Sequence, residues 1–183
     1  MAPSAARSET ALLVIDVQNL VVATAHERDA VVANIGTLVE SARVSAVPVI
    51  WVQHDDAGLP VDTEGWQIVP ELVPAATEPI VRKNVRDAFE STDLEQQLAD
   101  RHVGRLVVAG AQTDFCVRWT LHSALVRGYD TVLVADGHTT DAESPVGLPT
   151  GAELIAHTNS IWASQAHPDY ATSVLPTAEI AFG

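Results

Sequence analysis

Three polar residues, Asp16, Lys83 and Cys116, stand where apolar segments of the chain end. Asp16 lies near the end of residues 11–17 (ALLVIDV), which are otherwise apolar. A cysteine, a carboxylate and an ammonium can together perform nucleophilic catalysis. The ammonium favours the thiolate, and the carboxylate can take the thiol proton and later return it to a leaving group. Such a triad needs no histidine.

Each of the three residues also has an ordinary structural explanation. An aspartate at the end of a strand often caps a turn, and a lysine after a strand is usually solvated. A lone cysteine is more often a small buried hydrophobe than a nucleophile. The hypothesis of a triad therefore depends on whether the fold brings all three side chains to one place.

The apolar pattern predicts strands that alternate with helices. Strands are predicted at residues 11–17, 47–52, 78–82, 105–109, 131–135 and 172–175. Helices are predicted at residues 116–127 and 152–164, around Leu94 and Leu98, and over a stretch whose apolar face holds Val31, Val32, Ile35, Leu38, Val39 and Ala42. This alternation implies crossover connections and a parallel sheet covered on both faces. Asp16, Lys83 and Cys116 would then follow the first, third and fourth strands at one sheet edge.

Composition limits the classes of function. The 183 residues are 47% hydrophobic, which fits one folded domain and argues against disorder. Lys and Arg number 10 against 24 Asp and Glu, and this net charge of -14 argues against binding to nucleic acid or to an anionic membrane. One cysteine excludes an internal disulfide, and residues 1–10 lack the apolar stretch of a signal peptide. We therefore expect a cytoplasmic protein.

Three segments resemble, in this order, the motifs of the isochorismatase-like cysteine hydrolases. They are residues 11–18 (ALLVIDVQ), 83–89 (KNVRDAF) and 110–117 (GAQTDFCV), of which the Gly-x-x-Thr-Asp-x-Cys-Val segment is the most specific. The resemblance implies one domain over residues 1–183, with a three-layer αβα fold around a six-stranded parallel sheet. The family includes nicotinamidases, N-carbamoylsarcosine amidases, streptothricin hydrolases and isochorismatases.

The resemblance also implies roles for individual residues. Cys116 matches the nucleophile, Asp16 the general acid/base and Lys83 the third member of the catalytic triad. The family has a cis peptide bond that falls here at Ala111-Gln112. The backbone N–H groups of Gln112 and Cys116 would form the oxyanion hole. Family members usually assemble, so we expect a homodimer or a homotetramer.

Two departures from family patterns narrow the expected activity. Nicotinamidases hold a metal with an Asp-x-His pattern, whereas this chain has Gln53-His54-Asp55-Asp56, so we expect no metal and no cofactor. Isochorismatases that cleave a vinyl ether lack the cysteine nucleophile, so Cys116 favours hydrolysis of a small amide. Alternatives are a vinyl-ether hydrolase and a catalytically silent binding protein on the same fold. A nucleotide-binding enzyme is disfavoured because no Gly-x-Gly-x-x-Gly follows a strand.

Four side chains are candidates for the substrate pocket: His54, Phe89, Trp66 and His138. Both histidines follow predicted strands, Phe89 matches the aromatic residue that closes the lysine segment of the family, and Trp66 lies in the longest irregular region. Core packing is a comparable explanation for each of them. It is the simpler one for Trp66 and for Trp119.

Overall fold

Residues 7–182, the part of the chain that the computed structural model describes, form alternating strands and helices. The strands are β1 (Glu9–Ile15), β2 (Val49–His54), β3 (Ile80–Lys83), β4 (Val103–Ala111), β5 (Asp130–Thr139) and β6 (Thr172–Leu175). The α-helices are α1 (Arg28–Val44), α2 (Leu94–Ala99), α3 (Arg118–Val126) and α4 (Gly151–Ser164). A π-helical turn, Thr113–Val117, precedes α3, and a 3-10 turn, Thr177–Glu179, follows β6. The predicted alternation is confirmed.

The strands form one parallel sheet in the order β3-β2-β1-β4-β5-β6. From β1 the chain builds outward through β2 and β3, and then returns to the other side of β1 to begin β4. The order therefore reverses between β1 and β4. In open parallel sheets, ligands bind outside the carboxyl ends of the strands at this reversal. Asp16 follows β1, and the turn that holds Cys116 follows β4.

Side chains on the two faces of the sheet belong to two separate hydrophobic cores. Leu12 and Val14 of β1 pack in the core that contains α1, whereas Leu13 and Ile15 pack with α2, α3 and α4. The six apolar residues predicted for the inner face of α1 are all buried. These layers confirm the αβα architecture. Within residues 7–182, no helix has the length and apolar character that crossing a membrane requires.

Strand β4 is longer than the sequence pattern predicts, because Gly110 continues the strand instead of ending it. Gly110 has a φ of 126° and is paired with Ile15 of β1. A Cβ atom at this position would overlap the main-chain carbonyl of Ile15. Only glycine allows both this φ and so close an approach of two strands. The prediction that this strand ends at residue 109 is therefore wrong.

Three other predicted boundaries change near the site. Lys83 is the last residue of β3 and does not follow that strand. Cys116 lies inside the π-helical turn, and the α-helix begins only at Arg118. Strand β5 runs on to Thr139, past its predicted end at residue 135, through a shift in its register with β4.

Candidate active site

Asp16, Lys83 and Cys116 come together at the carboxyl edge of the sheet. Nζ of Lys83 lies 2.6 Å from Oδ2 of Asp16 and 3.2 Å from Sγ of Cys116. The side chains of Lys83 and Asp16 are inaccessible to solvent, at 0% and 1%, whereas Cys116 is half-buried. The geometry thus joins the three residues in one cluster, in which Cys116 is the most exposed residue.

Asp16 reaches this cluster because β1 ends in a sharp turn. The residue has a φ of 49°, in the left-handed region that aspartate tolerates better than most side chains. Its N–H still donates to the carbonyl of Val52 in β2 (2.9 Å), and its carbonyl accepts the N–H of Gln18 (2.8 Å). These main-chain bonds fix the carboxylate where β1 and β2 end.

Gln18 links the ends of β1 and β2 through its buried side chain. Its Nε2 donates to the carbonyls of His54 (2.9 Å) and Trp66 (2.7 Å), and its Oε1 accepts the N–H of His54 (2.9 Å). The main chain of His54 is therefore held on both sides by one amide. This role of Gln18 was not predicted from the sequence, where the residue is only part of a motif, although a glutamine in a strand-end motif was the available signal.

The turn that carries Cys116 is tied down at its start. The Gln112 carbonyl accepts the N–H groups of Phe115 and Val117, both at 3.1 Å. The peptide bond between Ala111 and Gln112 is cis. Within residues 7–182, the N–H of Gln112 has no hydrogen-bond acceptor, so it is free to bind a ligand atom.

The buried residue His138 connects the turn that carries Cys116 to helix α4. Asn159 donates its Nδ2 hydrogen to the carbonyl of Ala135 (3.0 Å), which leaves its Oδ1 to accept from Nε2 of His138 (2.9 Å). The opposite ring nitrogen, Nδ1, then accepts the hydroxyl of Thr113 at 2.8 Å. Burial lowers the pKa of His138 and keeps the ring neutral. His138 therefore positions the turn from inside the protein.

Burial controls the protonation of the cluster. It raises the pKa of Asp16 above its usual value, although Lys83 acts in the opposite direction. Burial also raises the pKa of the Cys116 thiol to about 12, and the Asp16 carboxylate adds to this rise while Lys83 opposes it. The resting residue is a thiol at neutral pH, contrary to the expectation that the nearby ammonium would favour the thiolate. Attack by this sulfur would therefore require a base to remove the thiol proton, and the Asp16 carboxylate lies in the same cluster.

A cleft of about 640 Å³ opens beside the cluster. Its walls include His54 and Val85, which both contact Nζ of Lys83. Trp119 of α3 lines the cleft with 56% of its surface exposed, so the expectation that it packs in the core is wrong. The residues that line the cleft are His54, Asp56, Asn84, Val85, Arg86, Asp87, Glu90 and Trp119.

The structure separates the four pocket candidates. His54 lines the cleft, and the other three stand apart from it. Phe89 is buried in the core, where its ring packs against Tyr129. Trp66 is also buried, and His138 lies beneath the turn, so all three contribute to packing and not to the cleft wall. In sequence, buried aromatic side chains near a site resemble pocket residues, so the sequence alone does not separate Phe89 and Trp66 from the residues of the cleft wall.

The part of the chain that the structure describes contains no group of three or more His, Cys, Asp or Glu side chains placed to hold a metal ion. At the end of β2, where nicotinamidases would have their Asp-x-His pattern, the side chain of Gln53 donates to the carbonyl of Trp66 (3.1 Å). His54 is engaged by Lys83 and by Asp56. Independence from metal stays a prediction.

Comparison with known proteins gives the class of this chain. Residues 10–145 match the isochorismatase domain, and the chain belongs to the isochorismatase family. Its sheet order and layers agree with a crystal structure of an isochorismatase from Pseudomonas putida KT2440. The TM-score is 0.85 at 27% identity, and the match covers 99% of this chain and 94% of that one.

The chain is also similar in sequence to two curated hydrolases. The chain is 37% identical over 147 residues to a streptothricin hydrolase of Streptomyces noursei, covering 76% of this chain and 58% of that protein. It is 28% identical over 126 residues to an N-carbamoylsarcosine amidase of an Arthrobacter species, covering 57% of this chain and 48% of that protein. The matched region thus spans about half the length of these relatives.

Proposed function

We propose that this protein is a cysteine hydrolase that cleaves a small amide (C–N) bond through a thioester on Cys116. The observation that carries the proposal is the position of the Lys83 ammonium, 2.6 Å from the Asp16 carboxylate and 3.2 Å from the Cys116 sulfur. A carboxylate, an ammonium and a thiol in contact supply a base, an electrostatic stabiliser and a nucleophile. The names of the streptothricin hydrolase and the N-carbamoylsarcosine amidase support hydrolysis of this type.

Acylation begins when Asp16 takes the proton of the Cys116 thiol as the sulfur attacks the amide carbonyl. The raised pKa of Asp16 suits it to hold that proton. The carbonyl oxygen becomes negative, and the N–H groups of Gln112 and Cys116 donate to it. Asp16 then gives the proton to the departing nitrogen, the C–N bond breaks, and a thioester remains on Cys116.

Deacylation reverses the proton path. Asp16, again a carboxylate, takes a proton from a water molecule that attacks the thioester carbonyl. The C–S bond breaks, the carboxylic acid leaves, and the sulfur recovers a proton from Asp16. Lys83 donates no proton in either half. Its role is to stabilise negative charge, first on Asp16 and then on the sulfur.

Turnover assays with a panel of small amides, lactams and ureides test the proposal. We expect release of amine or ammonia by the parent protein, no turnover by Cys116→Ala, and an acyl adduct on Cys116 in the mass spectrum of rapidly quenched protein. His157→Ala is a matched control, because His157 is exposed on α4. Hydrolysis of a vinyl ether that survives Cys116→Ala would contradict the proposal, as would binding without any turnover.

We also propose that the protein works as a homodimer or a homotetramer on a small-molecule substrate. Light scattering at micromolar concentration should give the mass of two or four 19.5 kDa chains. A monomer mass would contradict this part of the proposal and leave the chemistry at Cys116 untouched.

A further inference from the structure

The Lys83 ammonium has two more partners than the catalytic triad provides, namely Val85 and His54. An ammonium carries three protons and has no lone pair. Among residues 7–182, four acceptors lie within hydrogen-bond or ion-pair distance of Nζ, namely Asp16 Oδ2 (2.6 Å), the Val85 carbonyl (3.2 Å), Cys116 Sγ (3.2 Å) and His54 Nδ1 (3.4 Å). A protonated thiol is the weakest acceptor of the four. In the resting state the three N–H groups of Lys83 therefore donate to Asp16, Val85 and His54.

This assignment requires a lone pair on Nδ1 of His54, and the contact with Asp56 selects the tautomer that has it. Nε2 of His54 lies 3.2 Å from Oδ2 of Asp56. The other carboxylate oxygen, Oδ1, accepts the N–H groups of Gly58 (2.7 Å) and Leu59 (2.9 Å), which fixes the orientation of Asp56. The hydrogen bond from His54 holds the pKa of Asp56 below its usual value, so the group is a carboxylate and can only accept. The proton therefore lies on Nε2, and Nδ1 faces Lys83 as an acceptor.

We propose that His54, oriented by Asp56, is a positioning residue that accepts a hydrogen bond from Lys83 and holds the ammonium in place beneath Cys116. The inference rests on the proposed function and adds to the triad a pair of residues outside it. When the thiol proton moves to Asp16, the sulfur becomes the strongest acceptor. His54 and Val85 then anchor the nitrogen while one N–H turns to the thiolate.

The rival explanation is that His54 contacts the substrate, because it also lines the cleft. The two roles require different atoms of the ring. Positioning of Lys83 needs an acceptor where Nδ1 lies, whereas contact with a substrate needs no acceptor toward Lys83. Asparagine can place an oxygen near the position of Nδ1, glutamine places one near Nε2, and leucine provides neither.

The test uses the rate at which iodoacetamide alkylates the protein, measured by intact mass for His54→Asn, His54→Gln and His54→Leu. The chain has a single cysteine, so the rate reports on Cys116 alone and needs no substrate. We expect roughly ten- to hundredfold slower alkylation for Leu and Gln, because a buried N–H of Lys83 loses its acceptor. Asn should stay within about threefold of the parent.

The control is His157→Asn, an exposed histidine on α4, which should leave the rate unchanged. Circular dichroism checks folding of each variant. If His54→Leu does not fold, Asp56→Ala carries the test, with an expected loss of at least about threefold because Nδ1 is no longer held toward Lys83. Equal rates in the parent and all folded variants would overturn the proposal, as would equal losses for Asn, Gln and Leu.

Turnover separates this inference from the proposed function. If His54 positions Lys83, variants that slow alkylation should lower kcat, and Asn should rescue both quantities. A higher KM with unchanged alkylation would assign His54 to substrate contact and overturn the inference, while the amidase proposal would stand. If the protein hydrolyses no amide, but alkylation is slower for His54→Leu and His54→Gln and near the parent rate for His54→Asn, the proposed function is overturned and the role of His54 is supported.

Discussion

Replacement of Lys83 by methionine tests the ion pair at the centre of the site. Methionine has a similar length and fills the same buried space, so the change removes the charge with little loss of packing. Asp16 then loses its ion-pair partner 2.6 Å away, in a place where neither side chain reaches solvent. Breaking a buried ion pair by removing one partner costs about 3–5 kcal/mol. With a urea m-value of about 2 kcal/mol/M, the midpoint should fall by roughly 2 M.

The loss should depend on pH with a definite sign. Burial raises the pKa of Asp16, and Lys83 is the main opposing influence, so Lys83→Met should raise that pKa further. Above the ordinary value of 3.8, the unfolded chain then binds fewer protons at Asp16 than the folded protein does. The Asp16 pKa is already raised in the parent, so stability relative to the parent must fall as pH rises from the folded-state pKa of the parent to the higher folded-state pKa of the variant. The free energies of unfolding of the variant and the parent are therefore expected to differ least at acidic pH.

Urea unfolding, followed by tryptophan fluorescence between pH 4 and pH 8, measures both effects. Lys83→Met/Asp16→Asn is the matched control, because it also removes the carboxylate that loses its partner. This double variant should recover most of the lost stability and lose the pH dependence. A single-variant loss below about 1 kcal/mol, the size expected for an exposed pair, with no dependence on pH, would refute the reasoning.

Three further predictions concern other parts of the site. Gly110→Ala should lower the free energy of unfolding by about 2–5 kcal/mol, because the new Cβ meets the Ile15 carbonyl at a positive φ. Gly147→Ala has a positive φ but open space around it, so thermal melts should show a smaller loss, and equal losses would exclude the steric explanation. Trp119→Ala should raise KM roughly three- to tenfold with little change in kcat, because its exposed ring lines the cleft; an unchanged KM would remove Trp119 from the binding site. Activity should survive exhaustive chelation, and loss of activity that zinc or iron restores would contradict metal independence.

The sequence predicted the architecture and the meeting of Asp16, Lys83 and Cys116, because apolar periodicity and strand ends are local properties. Strands of a parallel sheet end at a common edge, so residues far apart in sequence can be assigned to one place. The end of β4 was wrong because a glycine usually interrupts a strand. At Gly110 the tertiary contact with Ile15 determines the conformation instead.

Side-chain partners were harder to predict than strand ends. The role of Gln18 and the contact between His54 and Lys83 depend on how three strand ends meet, which no local pattern records. The protonation of Cys116 was misjudged for a similar reason. A neighbouring ammonium was visible in the sequence, whereas the burial that outweighs it appears only in the folded protein.

The four-residue strand β3, which supplies Lys83, lies at the edge of the sheet and pairs only with β2. Edge elements of this kind open locally at a lower free energy than the centre of a sheet. Opening of β3 alone would withdraw Lys83 and leave the strands on both sides of Asp16 paired. The integrity of the Asp16–Lys83–Cys116 cluster would then depend on the stability of its edge strand and not on that of the core. Heating or mild denaturant should inactivate the protein reversibly while its far-ultraviolet circular dichroism is still native, and the fluorescence of Trp51 and Trp66, which contact β3, should change together with the loss of activity.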